Sequence, residues 1–412
     1  MTGPVDPFPG DPNTAQSRWF DANVRHQIGL LRVSGGIRNR LHKLLDATER
    51  DLRHAINDIL RRHTGTNRPA DLARKEKLLR EVEAIRNTAW EESRTVLLAE
   101  MNALAIAEPQ FMDALLRTVL PVQIETTLPP ARQLRAIVSS RPFEGRILKD
   151  WAEHIAVVDV ERIQSQIQIG LVQGESVPEI SRRVVGTVRL RGTDGATEVA
   201  RRDAESIVRT ATNHTANQAR AAFFRENSDL VDFEWFIATL DSRTTPICRS
   251  LDGERFPIGE GPIPPLHMRC RSLRTAALDP EPLGERPMNP TTERSLLREF
   301  AKQEGFAASV DRDGLPHGTK GAFDEFARRR VRQLIGQVPA KTTYLDFLRR
   351  QPAAIQDDIL GRTRGRLFRT GRLDLKSFVD RTGAEIPLDQ LAKMHAGAFR
   401  AAGLDPVEFL TR

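Results

Sequence analysis

The chain has 412 residues, 39% hydrophobic and 28% charged, with 62 basic against 55 acidic side chains and a net charge of +7. That length exceeds one compact core and predicts two or three domains, while 6% aromatic residues, with Tyr344 the single tyrosine, leave few platforms for stacking on unpaired bases. Two cysteines, Cys248 and Cys270, exclude a disulfide-stapled secreted scaffold, and no run nears the roughly 20 apolar residues that span a bilayer. The expectation is a soluble chain made in a reducing cytoplasm, with no membrane partner and a mild basic excess that favours phosphate-bearing neighbours.

The first dozen residues, with Pro4, Pro7, Pro9 and Pro12, read as an extended arm that lacks the basic start and apolar run of a signal peptide. From Ile37 to Leu60, apolar residues at Ile37, Leu41, Leu44, Leu45, Leu52, Ile56, Ile59 and Leu60 recur at gaps of three, four and seven, one stripe of a helix. The Asn67 to Pro69 region breaks it, and a second helix is expected from about Ala70 to Ile106 with Leu78, Val82 and Met101 inward. Two long helices with a short joint read as an antiparallel hairpin that further helices must cover. Pro109, Pro121, Pro129 and Pro130 mark shorter elements and loops.

Ile147 to Val172 is helical in pattern, Gly174 to Ser176 forms a turn, and Ser176 is placed to cap a short helix carrying Ile180 and Val184. A long helix follows at about Ala196 to Asn227. Phe233, Trp235, Phe236 and Ile237 then favour a strand within Asp232 to Thr239, with a second short strand at Ser272 to Ala276. Four prolines between Ala277 and Thr292 read as a linker, and a basic, mainly helical region runs on to Arg412. The fold class is therefore mainly α with a small α+β module. Its divisions are a helical region at residues 1–150, a compact module with a short antiparallel sheet at 151–277, a proline-rich linker at 278–295, and a basic helical region at 296–412.

The chemistry-bearing stretch runs from Glu234 to Arg271. It offers a sharp turn at Asp241 to Thr244, then Cys248, a second turn at Asp252-Gly253, a rigid loop ending at Pro264-Pro265, and His267 and Cys270 three residues apart. On a helical turn that spacing puts both on one face. Cys248, His267 and Cys270 are three soft-metal ligands in a turn-rich unit, and a structural zinc needs a fourth, for which Asp241 or Asp252 is available. A second reading makes both cysteines small buried hydrophobes and has His267 bond a backbone carbonyl; a disulfide is a third. Asp241 and Asp252 with Arg243 also suggest a paired-carboxylate site, but aspartate before glycine in a sharp turn more often serves backbone geometry. His214 either joins the His267 cluster or is a satisfied core histidine, and His317 sits in an expected loop.

These residues resemble the phage Mu F-like head morphogenesis family of minor head proteins. Its pattern, D-x-R-T-C-P-x-C-x-x-L-D-G-x-x-F followed by P-P-L-H-x-x-C-R-C, is met here by Asp241, Arg243, Thr244, Pro246, Cys248, Leu251, Asp252, Gly253, Phe256, Pro264, Pro265, Leu266, His267, Cys270 and Arg271, with Trp235 upstream. Arg209, Thr210 and the stretch Asn213 to Arg220 are similar to the family's preceding helix. Thr245 and Ser272 depart from it, standing where relatives have cysteine; their joint departure pairs those two positions and leaves Cys248, His267 and Cys270 as the remaining set. The resemblance covers Ile163 to Ala276, and the segment from Tyr344 is similar to the end of many members.

The resemblance implies a structural minor head protein, not an enzyme. It would be associated with the portal protein, with scaffold or major capsid protein as further partners, and would act in procapsid assembly, DNA packaging or genome release. It would be made in the host cytoplasm and carried in the virion, in the capsid interior or at the portal vertex. Arg328, Arg329, Arg330 and Arg332, with Arg362, Arg364, Arg366, Arg369 and Arg372, are the densest positive charge. They either track phosphates of packaged double-stranded DNA without sequence preference or form solvated helix faces paired with carboxylates. The rival readings are a metal-dependent hydrolase or nuclease and a toxin-carrier protein delivered with the genome; the chain has no Gly-rich phosphate loop, H-E-x-x-H or G-x-S-x-G motif.

Overall fold

The computed structural model describes residues 14–61, 69–187, 189–190, 192–307, 311–316 and 318–410. The expected arm at residues 1–13, the break at residues 67–68 and His317 lie outside the described residues. The architecture is mainly helical with a small antiparallel sheet, as the sequence patterns imply.

Two long helices, α1 (Ala15–Leu60) and α2 (Pro69–Val119), run antiparallel. Helix α1 starts earlier than the Ile37 stripe because Thr14 caps it, its hydroxyl accepting from Ser17 N at 3.1 Å. Trp19 and Phe20 extend the buried face through Gly35 and Gly36. Helix α2 continues past Ile106 and through Pro109, where the buried carboxylate of Glu108 is anchored by Arg220 at 2.5 Å and His26 at 2.7 Å. A proline in mid-helix removes a hydrogen bond; side-chain anchoring next to it holds the helix together.

The hairpin is covered by α3 (Ala131–Ser140), α4 (Leu148–Val172), α5 (Val177–Val185) and α6 (Thr197–Glu226). Ser176 and Glu179 form a capping box at α5. The apolar stripes meet in two cores: Ile37, Leu41, Trp90, Leu97, Ile137 and Ile207 in one, and Leu52, Ile56, Leu78, Val82, Ile163 and Ile180 in the other. A buried ion pair, Arg86 to Asp159 at 2.6 Å, with Trp90 Nε1 donating to the same carboxylate at 2.9 Å, ties α2 to α4. The division expected at residue 150 therefore crosses a shared core, because α4 lies on α2 and contributes to both clusters.

After α6 the chain forms β1 (Phe233–Ile237), α7 (Pro246–Leu251), β2 (Arg255–Pro257) and β3 (Leu273–Ala276). The sheet order is β2-β1-β3, both pairings antiparallel, with Trp235 opposite Arg255 on one side and Thr275 on the other. A second ladder pairs β4 (Glu285–Met288) with β5 (Gly336–Pro339). It falls inside the expected linker at 278–295, which is thus a packed strand and not a spacer: Arg286 is 2% exposed and bonded into the module. The prolines fit because Pro287 and Pro339 sit in a two-stranded ribbon, where an absent N–H is tolerated on an edge.

The remaining chain holds α8 (Glu293–Glu304), α9 (Lys320–Leu334), α10 (Tyr344–Arg349), α11 (Ala353–Leu360), α12 (Arg362–Arg369), α13 (Leu388–Met394), α14 (Ala396–Ala401) and α15 (Val407–Leu410). Its core, with Tyr344, Phe347, Leu367, Phe378, Leu391 and Phe399, also takes in Leu240 of the module.

Candidate functional site

Helix α6 carries a polar stripe at Thr210, Asn213, Asn217 and Arg220, spacings of three and four that share one helix face. Each side chain is buried and reaches the backbone of the 269–274 segment. Thr210 Oγ1 accepts from Arg269 N at 2.9 Å, Asn213 Nδ2 donates to Ser272 O at 3.2 Å, Asn217 Oδ1 accepts from Arg274 N at 3.0 Å, and Arg220 Nη1 donates to Arg274 O at 2.9 Å. Strand β3 is a sheet edge, and an edge strand has unpaired N–H and C=O groups. Here a helix's side chains satisfy them in place of a fourth strand.

The two turns are held by carboxylates. Asp241 accepts a bidentate pair from Arg271 at 2.5 and 2.8 Å. Burial opposes its charge, but the hydrogen bonds and charge of Arg271, together with the charge and backbone N–H of Arg243, outweigh that and hold its pKa below the usual carboxylate range. Arg243, the partner suggested by sequence proximity, is largely exposed and 3.4 Å from Asp241. Asp252 accepts from Ala238 N and Tyr344 N, each at 2.6 Å, and from both terminal nitrogens of Arg286 at 3.0 Å. Gly253 follows at φ +82°, and a Cβ there would lie 2.7 Å from Thr343 Cγ2. Thr244 Oγ1 donates to Thr239 O at 2.5 Å. Trp235 lies under the Arg255 guanidinium at 5.9 Å, and Pro264-Pro265 is a cis peptide. The two aspartates thus pair with separate arginines, and neither is grouped with Cys248, His267 and Cys270.

Cys248, on α7, meets His267 and Cys270 across a small apolar pocket with Phe236 and Ala238. Its sulfur lies 3.4 Å from His267 Nε2 and 3.7 Å from Cys270 Sγ, and all three donor atoms fall within 4.8 Å of one another. Both cysteines are free, since a disulfide would need the sulfurs at about 2.05 Å. His267 and Cys270 are joined by a β-turn and not a helical turn: Cys270 N donates to His267 O at 3.1 Å, with Arg269 at φ +61°. His267 Nδ1 donates to Met268 O at 2.9 Å, which leaves the Nε2 lone pair toward the sulfurs. Hydrogen bonding from Cys248 makes Cys270 the more readily ionised thiol, while Cys248 is held protonated. The hydroxyls of Ser272 and Thr245, the two positions that depart from the family pattern, lie near the Cys248 sulfur and temper the upward shift of its thiol.

His214 does not join this cluster. It is 3% exposed on α6, packed on Phe143 at 5.0 Å, and burial together with the nearby Arg141 charge lowers its pKa to about 4. Of the basic candidates, Arg330 pairs with Glu299 at 2.8 Å, Arg364 with Glu385 at 3.5 Å and Arg369 with Asp357 at 2.7 Å. Arg328, Arg329, Arg332, Arg362, Arg366 and Arg372 present exposed side chains. Arg286 and the buried Arg274–Glu234 pair at 2.8 Å are site residues that the sequence reading did not single out; their partners lie more than 30 residues away, and no spacing marks them.

A long helix bound side chain by side chain to the edge of a three-stranded, turn-rich sheet is the class of α+β module that this fold defines. Residues 161–274 match the sequence model of the family described as Phage Mu protein F like protein. That segment, just over a quarter of the chain, is similar to the phage Mu F-like family and runs from within α4 to β3. The part from Tyr344 lies outside the matched residues. No curated protein and no solved structure matches the chain.

Proposed function

We propose that this chain is a structural minor head protein of a tailed phage that docks at the portal and acts in procapsid assembly, DNA packaging or genome release. The observation that carries the reading is the family match over residues 161–274, the segment in which α6 is stapled to β3. The way the site uses its charges supports a structural and non-catalytic role. Asp241, Asp252 and Glu234 are each paired with a buried or half-buried arginine, an arrangement that fixes geometry. No described helix is long and apolar enough to cross a membrane.

Mass spectrometry of purified virions, with co-purification on the portal protein, tests the reading. The chain is expected in every particle at a few copies and retained by the portal; its absence from particles refutes the proposal. DNA contact through the exposed arginines of α9 and α12 is the further part of it. Such contact predicts retention on double-stranded DNA that falls steeply with salt, by roughly one counterion per phosphate neutralised, and shallower salt dependence in Arg328→Gln/Arg329→Gln/Arg362→Gln/Arg366→Gln. Retention indifferent to salt removes it.

A further inference from the structure

We propose that Cys248, Cys270 and His267 form a structural zinc site that clips α7 to the loop leading into β3. Tetrahedral zinc with bonds of about 2.3 Å to sulfur and about 2.0–2.1 Å to nitrogen requires sulfurs about 3.75 Å apart and a sulfur–nitrogen edge of about 3.5 Å. The observed separations are 3.7 Å and 3.4 Å. Two of the three ligand–ligand edges of the coordination polyhedron are therefore already in place, and the third, His267 to Cys270, lies within 4.8 Å.

Three further features agree. The His267 Nδ1–H bond to the Met268 carbonyl is the outer-shell contact that orients a metal-bound imidazole and fixes its tautomer. Two thiolates and a neutral imidazole around a divalent cation have no net charge, which suits a pocket where Cys248 and Cys270 are 1% and 2% exposed. Asp241 and Asp252 are bonded to arginines and add no charge to it. Thr245 Oγ1, beside the Cys248 sulfur, is buried without a conventional hydrogen-bond partner. The fourth position falls to oxygen, either that hydroxyl or a water that it holds.

The inference rests on these side chains and not on the head-protein reading, so absence from virions leaves it standing. The test uses the full chain purified under reducing conditions. Elemental analysis is expected to give roughly one zinc per chain. Cobalt(II) added after chelator stripping should produce thiolate-to-cobalt charge-transfer absorption and intense tetrahedral d–d bands. The Cys248→Ser/Cys270→Ser variant, checked for native circular dichroism, should lose both. Because that variant could misfold, the wild-type cobalt spectrum decides independently. Zinc well below stoichiometry after zinc loading with no charge-transfer band, or a Cys248–Cys270 disulfide formed in the isolated chain, overturns the proposal. So does zinc that persists in a folded double variant.

Discussion

Replacing Arg286 by leucine isolates the interaction that binds the proline-rich segment to the module. The guanidinium is 3% exposed and the Asp252 carboxylate fully buried. Arg286 donates twice to Asp252 at 3.0 Å, to Thr342 O at 3.1 Å and to Ala238 O. Truncating one member of a buried pair costs about 3–5 kcal/mol, because the other charge stays desolvated. Asp252 keeps its two backbone donors, Ala238 N and Tyr344 N, which offsets part of that loss. The carbonyls of Thr342 and Ala238 lose a donor, which adds about 1 kcal/mol or more. The expected loss for Arg286→Leu is thus about 4 kcal/mol. Asp252→Asn sets its amide nitrogen against one of those two backbone donors and is destabilising on its own, but it also removes the stranded charge, so the double variant should lose roughly 1–3 kcal/mol less than the sum of the two single losses, a non-additivity that separates a charge pair from simple packing. Urea unfolding followed by the fluorescence of the four tryptophans measures both, and limited proteolysis at residues 278–295 should accelerate in the single variant. A loss under about 1 kcal/mol, or losses that simply add in the double variant, refutes the reasoning.

Three other outcomes follow. His214 binds its proton less readily folded than unfolded, with a pKa of about 4 against the ordinary 6.5, so stability is full above the unfolded value and falls as pH drops from about 6.5 to 4, by about 3 kcal/mol; His214→Phe should remove that slope, and an unchanged urea midpoint profile would contradict it. Gly253→Ala places a Cβ 2.7 Å from Thr343 Cγ2 at φ +82° and should cost about 1–3 kcal/mol, with Thr343→Ser recovering the steric part alone in thermal melts. The excised 161–274 segment strands Arg220 without Glu108 and Asp252 without Arg286, and should show no cooperative melt; a sharp transition would mean that these partners are dispensable.

The helices were legible because their apolar residues recur at helical spacing over many turns, and the cores use those residues: Ile37, Leu41, Leu52 and Ile56 on α1, Leu78, Val82 and Met101 on α2. The positive φ of Gly253 was legible for a local reason, since Asp-Gly in a sharp turn favours a left-handed glycine, but the Asp252 carboxylate bonds Ala238 N, Arg286 and Tyr344 N and not its own turn. The buried arginines were not legible. Arg86, Arg220, Arg274 and Arg286 look in sequence like any solvated arginine, and what buries them is a carboxylate 73, 112, 40 or 34 positions away. The prolines between 277 and 292 misled for the complementary reason: composition reports that N–H groups are missing, not that a two-stranded ribbon tolerates their loss. His267 and Cys270 do converge, but through the left-handed Arg269, which a spacing rule cannot foresee.

The α6 stripe also constrains how the module meets its neighbours. Strand addition to an exposed sheet edge is one recurring mode of protein recognition and needs a row of free backbone groups. At β3 that row is taken by Asn213, Asn217 and Arg220, and Trp19 Nε1 closes its end by donating to Ala276 O at 3.1 Å. At the opposite edge β2 spans three residues and ends in Pro257, too short to template a ladder of typical length. An assembly partner of this sheet therefore has side chains to read and little backbone. Under the proposed head role, the helix surfaces and the exposed arginines of α9 and α12 are the faces left for such contact, and substitutions there should alter assembly while leaving the module's fold intact.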